Sequence, residues 1–129
     1  KQRIFFKGQI YDAYHLIIEL IKKANSKIVI IDNYIDESIL KMLAKKQKKV
    51  EVVILTPENS TIDQIDLKKF NQEYPTLKIL KTNQFHDRFI VIDDQEMYHL
   101  GASIKDLGKK CFGINQIEDT KLIQKIVNS

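Results

Sequence analysis

The sequence predicts one α/β domain, with a mixed, mostly parallel sheet covered by helices on both faces. Three observations carry this reading. Apolar residues alternate between helical spacing and short β-branched runs along the whole chain. The length, 129 residues, is that of one domain built on one core. No repeat, low-complexity tract or Gly/Ser linker interrupts the pattern.

The elements follow in order. Phe5 and Phe6 belong to a short opening strand. Ile10, Ala13, Tyr14, Ile17, Ile18, Ile21 and Ala24 recur at three and four, which defines one face of a helix that ends at Asn25-Ser26. The compact run from Lys27 to Asp32 reads as a strand buried on both faces. Asp36-Glu37-Ser38 opens a second helix carrying Ile39, Leu40, Leu43 and Ala44. Lys49 to Leu55 is a third strand, stopped by Pro57. Ser60 or Thr61 caps a third helix with Ile62, Ile65, Leu67 and Phe70 inward, and Tyr74-Pro75-Thr76 breaks it. Leu77 to Leu80, Phe89 to Ile92 and Met97 to Leu100 are strands four to six. The last two form a hairpin through Asp93-Asp94-Gln95-Glu96. Gly101 frees the backbone for a tight turn, and a closing helix carries Leu122, Ile123, Ile126 and Val127.

Composition narrows the function. The net charge of +4, from 21 Lys+Arg against 17 Asp+Glu, is a mild bias toward anionic partners. Lys41, Lys45, Lys46, Lys48 and Lys49 form a basic cluster, read as a solvated helix end. The single cysteine, Cys111, makes no disulfide framework and fits a reducing, cytoplasmic setting. It is read as a small buried hydrophobe. No apolar run approaches membrane-span length. Four glycines are too few for the Gly-rich phosphate loops, and no His/Cys/Asp cluster has metal-ligand spacing. The chain opens on Lys1 rather than Met, so residues 1–129 are expected to be a fragment of a longer protein with a further domain.

The chemistry concentrates in Phe85-His86-Asp87-Arg88-Phe89-Ile90-Val91-Ile92-Asp93. On a strand, His86 and Arg88 face the same side. Histidine can attack phosphorus, and arginine offers a planar donor fork to the charge that develops. Asp93 has the opposite parity and is expected to anchor the backbone rather than touch substrate. The pattern His-x-(Lys/Arg)-x4-Asp arises by chance in this composition roughly 0.04 times. Elsewhere, His15 reads as a boundary residue and His99 as a packing residue of the hairpin. Asp106 and Glu118 are candidates to orient His86.

This segment resembles the signature of the phospholipase D superfamily, His-x-Lys-x4-Asp followed by a Gly-Ser-x-Asn turn. The resemblance extends over Tyr34, Asp36, Ile39 and Leu43, and over Lys49 to Pro57. It implies a phospholipase D-like fold and cleavage of phosphodiesters through a phosphohistidine at His86, without metal or other cofactor. The substrates implied are phospholipids and nucleic acids, and nucleic acid is placed ahead of anionic lipid because the sequence has no evident amphipathic basic helix or exposed aromatic insertion loop. Two positions depart from the pattern. Arg88 stands where the family has lysine, and the turn reads Gly101-Ala102-Ser103-Ile104-Lys105-Asp106, with no asparagine. Ser103 and Lys105 join Arg88 as expected phosphate-binding residues. The family's site uses two copies of the motif and this chain carries one, so a homodimer pairing two His86 motifs is expected. A phosphate-binding module without turnover is the alternative.

Overall fold

A computed structural model describes residues 2–57 and 62–128 of the chain. Its elements are β1 (Gln2–Phe5), α1 (Ile10–Lys23), β2 (Lys27–Ile31), α2 (Ser38–Leu43), β3 (Glu51–Thr56), α3 (Gln64–Glu73), β4 (Leu77–Lys81), β5 (Arg88–Ile92), β6 (Glu96–Leu100), β7 (Phe112–Ile117) and α4 (Thr120–Val127). The strands form one sheet in the order β1-β7-β6-β5-β2-β3-β4.

β2 explains the architecture. Its four β-branched residues alternate between two cores. Ile28 and Ile30 enter the larger core under α1, α2 and α3. Val29 and Ile31 enter a smaller one capped by Ile123 and Ile126 of α4. A strand this apolar is stable only with both faces covered. Each of these side chains contributes about 1.5–3 kcal/mol on full burial.

The α/β class and the mixed sheet stand, but the sheet is not mostly parallel. Among the described residues only β2-β3 and β3-β4 pair in parallel. The pairs β1-β7, β2-β5, β5-β6 and β6-β7 are antiparallel. The reason lies in the connections. Helices α2 and α3 carry the chain back for parallel pairing. From β4 to β7 no α-helix among the described residues separates consecutive strands, so the chain reverses without a helical crossover. β7, which the sequence reading passed over, joins β6 to the edge strand β1.

Some expectations shift at residue level. The expected caps Ser60 and Thr61 lie outside the described residues. The side chain of Asp63 caps α3 instead, accepting from the Ile65 N–H at 2.7 Å. Ile65 points outward and is 62% exposed, while Phe70 is buried. α3 starts two residues after Ile62, which rotates the inward stripe away from Ile65. Gly101 answers to a close approach: a Cβ there would lie 3.1 Å from the backbone N and O of Gly113 on β7. Cys111 is exposed, not buried, because it lies on the connection before β7 begins. Lys46 is buried rather than solvated. Its ammonium donates to the carbonyls of Lys48 and Pro75 at 3.1 and 2.9 Å, and burial lowers its pKa.

Candidate functional site

β5 places the sequence motif at both of its ends. Arg88 opens the strand opposite Leu100 of β6, and Asp93 follows its last residue. His86 is not on the strand, contrary to the expectation of a shared face with Arg88. It lies on an exposed bend two residues earlier. The cause is pairing: the ladder to β2 ends at Phe89 and the ladder to β6 ends at Arg88. No strand ladder therefore holds residues 86 and 87 extended. The bend is tethered by Asn33, whose side-chain amide donates to the Phe85 carbonyl at 3.1 Å.

Asp93 sits at the far end of β5, roughly 16 Å from Arg88 at the usual strand rise. Its carboxylate accepts the backbone N–H groups of Asn25, Ser26 and Lys27 at 2.8–3.1 Å, and the Ser26 hydroxyl at 3.0 Å. Burial alone would raise its pKa. The hydrogen bonds from Lys27, Asn25 and Ser26 outweigh burial and hold it below the ordinary carboxylate value. Asp93 and Asp94 both have φ near 55°, the left-handed pair of a tight hairpin turn. Asp93 thus ties the β5-β6 turn to the α1-β2 turn.

Arg88, Ser103 and Lys105 come together. With Tyr34, Lys109 and Lys110 they line a cleft of about 580 Å³. Its four cations face one carboxylate, Asp106, which pairs with Lys105 at 3.6 Å and Lys109 at 3.2 Å. The Arg88 guanidinium lies 5.6 Å from the Tyr34 ring centroid. Its Nε is buried without a hydrogen-bond partner. A buried, unpaired donor of a permanent cation is costly unless an acceptor arrives. A phosphate oxygen supplies one. His86 does not line this cleft. Asp106, a candidate to orient His86, is committed to the two lysines, and Glu118 is exposed beyond β7.

The cleft rests on Asp32, which the sequence reading treated only as the end of a strand. Asp32 is fully buried. It accepts the Ser103 hydroxyl, the Ile104 N–H at 2.8 Å and the Tyr34 N–H at 2.9 Å. One carboxylate therefore fixes both walls. A carboxylate directly after four buried β-branched residues was the available signal. Lys109 and Lys110 were also missed as site residues. They follow Gly108, whose positive φ (+79°) turns the chain back toward the cleft.

The other histidines are accounted for. His15 is exposed, 3.3 Å from Glu19 and stacked on Tyr11. His99 packs on Phe89 at 5.4 Å and lies 3.7 Å from Asp87. A second groove, of about 500 Å³, runs between α1 and the β6-β7 side of the sheet beside a Lys23–Glu96–Tyr98 network. Among the described residues no three His, Cys, Asp or Glu side chains gather as metal ligands.

No family model matches the chain, and no curated protein matches it. Solved structures do. The phospholipase D family member Nuc from Salmonella typhimurium superposes with a TM-score of 0.69 at 18% identity, over 99% of this chain and 90% of its own. The chain has the phospholipase D fold. NucT from Helicobacter pylori shares that fold, with a TM-score of 0.67 at 18% identity, over 99% of this chain and 91% of its own. Phosphatidylserine synthase from Haemophilus influenzae gives 0.66 at 19% identity, over 97% of this chain but 35% of its own. On this phospholipase D scaffold Arg88, on the wall of the basic cleft, opens β5 two residues after His86. No helix among the described residues is long and apolar enough to cross a membrane.

Proposed function

We propose that this domain binds nucleic-acid phosphodiesters in the Arg88 cleft and cleaves them through His86 without metal. The unpartnered, buried Arg88 Nε at the wall of a cleft bearing three lysines carries the reading. Ser103 and Lys105 complete the phosphate contacts. Asp93 acts at a distance, by holding the turn after β5.

In this reading His86 attacks phosphorus and one phosphorus–oxygen bond breaks. The departing oxygen takes a proton from His86 of the partner subunit, and water then releases the phosphohistidine. Each chain supplies one such histidine, so the active unit is a homodimer. Nucleic acid is favoured over anionic lipid because the cations line a recessed cleft beside exposed rings, rather than an amphipathic helix face.

The test is cleavage of single- and double-stranded DNA, RNA and a model phosphodiester with chelator present. Wild type cuts, and His86→Ala binds but does not cut. Salt-dependent binding without any cutting by wild type replaces this reading with the binding module that has lost turnover.

A further inference from the structure

The residues beside the cleft form a second surface that neither the motif nor the cleft explains. The segment Phe6 to Ile10 packs against the lysine-bearing loop. The Gly8 N–H donates to the Gly108 carbonyl at 2.9 Å. A Cβ on Gly108 would lie 2.5 Å from the Ile10 Cα, so the two segments are in backbone contact. Around that contact Phe6 is 64% exposed and Tyr11 72% exposed. The Tyr11 ring lies nearly parallel to that of His15, with centroids 5.7 Å apart and planes at 8°. Lys7 follows Phe6, and Lys109 and Lys110 follow Gly108 at that contact; all three are exposed, as is the carboxylate-bearing Asp12 next to Tyr11.

Exposed rings alone would suit many partners, and lysines alone would suit any polyanion. Interleaved, they suit a polymer whose apolar faces and negative charges alternate. We infer that Phe6, Lys7, Tyr11, Lys109 and Lys110 bind the unpaired bases and backbone of a single-stranded nucleic acid that runs on from the Arg88 cleft. The inference rests on the reading of that cleft as a nucleic-acid phosphate site. Unpaired bases expose their faces for stacking on Phe6 and Tyr11, whereas a duplex conceals them. The same surface suits a bilayer poorly, because Asp12 and Glu19 are exposed along α1 next to the rings and oppose an anionic plane.

The experiment is fluorescence anisotropy of the chain with a labelled oligo(dT) of about 20 nucleotides and a blunt duplex of equal length. The variants are Phe6→Ala/Tyr11→Ala, Phe6→Leu/Tyr11→Leu and Arg88→Ala. Both rings are exposed, and circular dichroism checks that the fold is kept. The alanine pair is expected to lose roughly tenfold or more in affinity for oligo(dT) and to bind the duplex within about twofold of wild type. Arg88→Ala weakens both. Unchanged affinity of the alanine pair for oligo(dT) overturns the surface. If Arg88→Ala still weakens binding in that case, the cleft reading survives. An Arg88→Ala chain that binds like wild type overturns the cleft reading itself, and this inference with it. Sedimentation with phosphatidylserine/phosphatidylcholine vesicles separates the remaining case. Vesicle binding kept by the leucine pair and lost by the alanine pair, without a change on oligo(dT), assigns the surface to lipid and overturns the inference.

Discussion

Asp32 and Ser103 lie 71 residues apart in the chain, yet the Ser103 hydroxyl is 3.0 Å from each oxygen of the buried Asp32 carboxylate. Asp32 directly follows β2, and Ser103 opens the loop that carries Lys105, Lys109 and Lys110 to Arg88. The same carboxylate takes the backbone N–H of Tyr34, whose ring lies over Arg88. The position of the cationic wall therefore depends on one interior acid.

Removing that acid leaves the buried Ser103 hydroxyl and Ile104 N–H, and the part-buried Tyr34 N–H, without their acceptor. Asp32→Ala is expected to cost about 2–4 kcal/mol of stability. Ser103→Ala leaves Asp32 with its two backbone donors and is expected to cost about 1 kcal/mol. Urea denaturation measures both. Equal stability of Asp32→Ala and wild type would show that the buried carboxylate does not organise the loop.

Arg88 is the cation whose geometry matters most. Its fork can give two parallel hydrogen bonds to a phosphate, while lysine gives a point charge. Arg88→Lys is expected to weaken oligonucleotide binding by roughly fivefold, and Arg88→Ala by roughly fiftyfold. Wild-type affinity falls as salt rises because bound phosphates release counterions, and Arg88→Ala flattens that slope by about one contact. Titrations at several salt concentrations read both effects. An affinity indifferent to salt would remove the phosphate contacts from the account.

Asp93 makes stability depend on acid. Its folded pKa is depressed, so its contribution is fully present above the unfolded value near 3.8 and is lost as pH falls through the lower folded value. Asp93→Asn keeps the turn residue type but loses the charge. It is expected to cost about 1–2 kcal/mol at pH 7 and progressively less as pH falls below about 4. Thermal melts of both proteins between neutral pH and pH 3 test this. A constant difference across that range would show that the Asp93 charge is not what holds the α1-β2 turn.

The Asn33 tether is the local control on His86. Asn33→Ala frees the Phe85 carbonyl, and because Asn33 does not line the cleft it should leave oligonucleotide affinity within about twofold of wild type. Turnover, where wild type shows it, is expected to fall roughly tenfold because the bend carrying His86 loses its hold. Paired binding and cleavage measurements separate the two effects. An affinity loss as large as the turnover loss would point to a general collapse of the cleft.

Every labelled element except β7, and the doubly covered centre of the sheet, could be read from the chain alone. Apolar spacing and β-branched runs are local signals, and Ile28 to Ile31 needs burial on both faces wherever the strand is placed. The sequence also brought out the residues of the β5 motif, because their types and spacing are local. Tertiary structure decided what each of them touches. Strand pairing decided that His86 falls on a bend while Arg88 is held in the ladder, since a strand ends where its partners end. The path of the chain decided that most pairings are antiparallel. Asp32, Lys109 and Lys110 could not be ranked from spacing at all. Their role comes from one buried carboxylate fastening a distant loop, and a contact across 71 residues leaves no periodic trace in the chain.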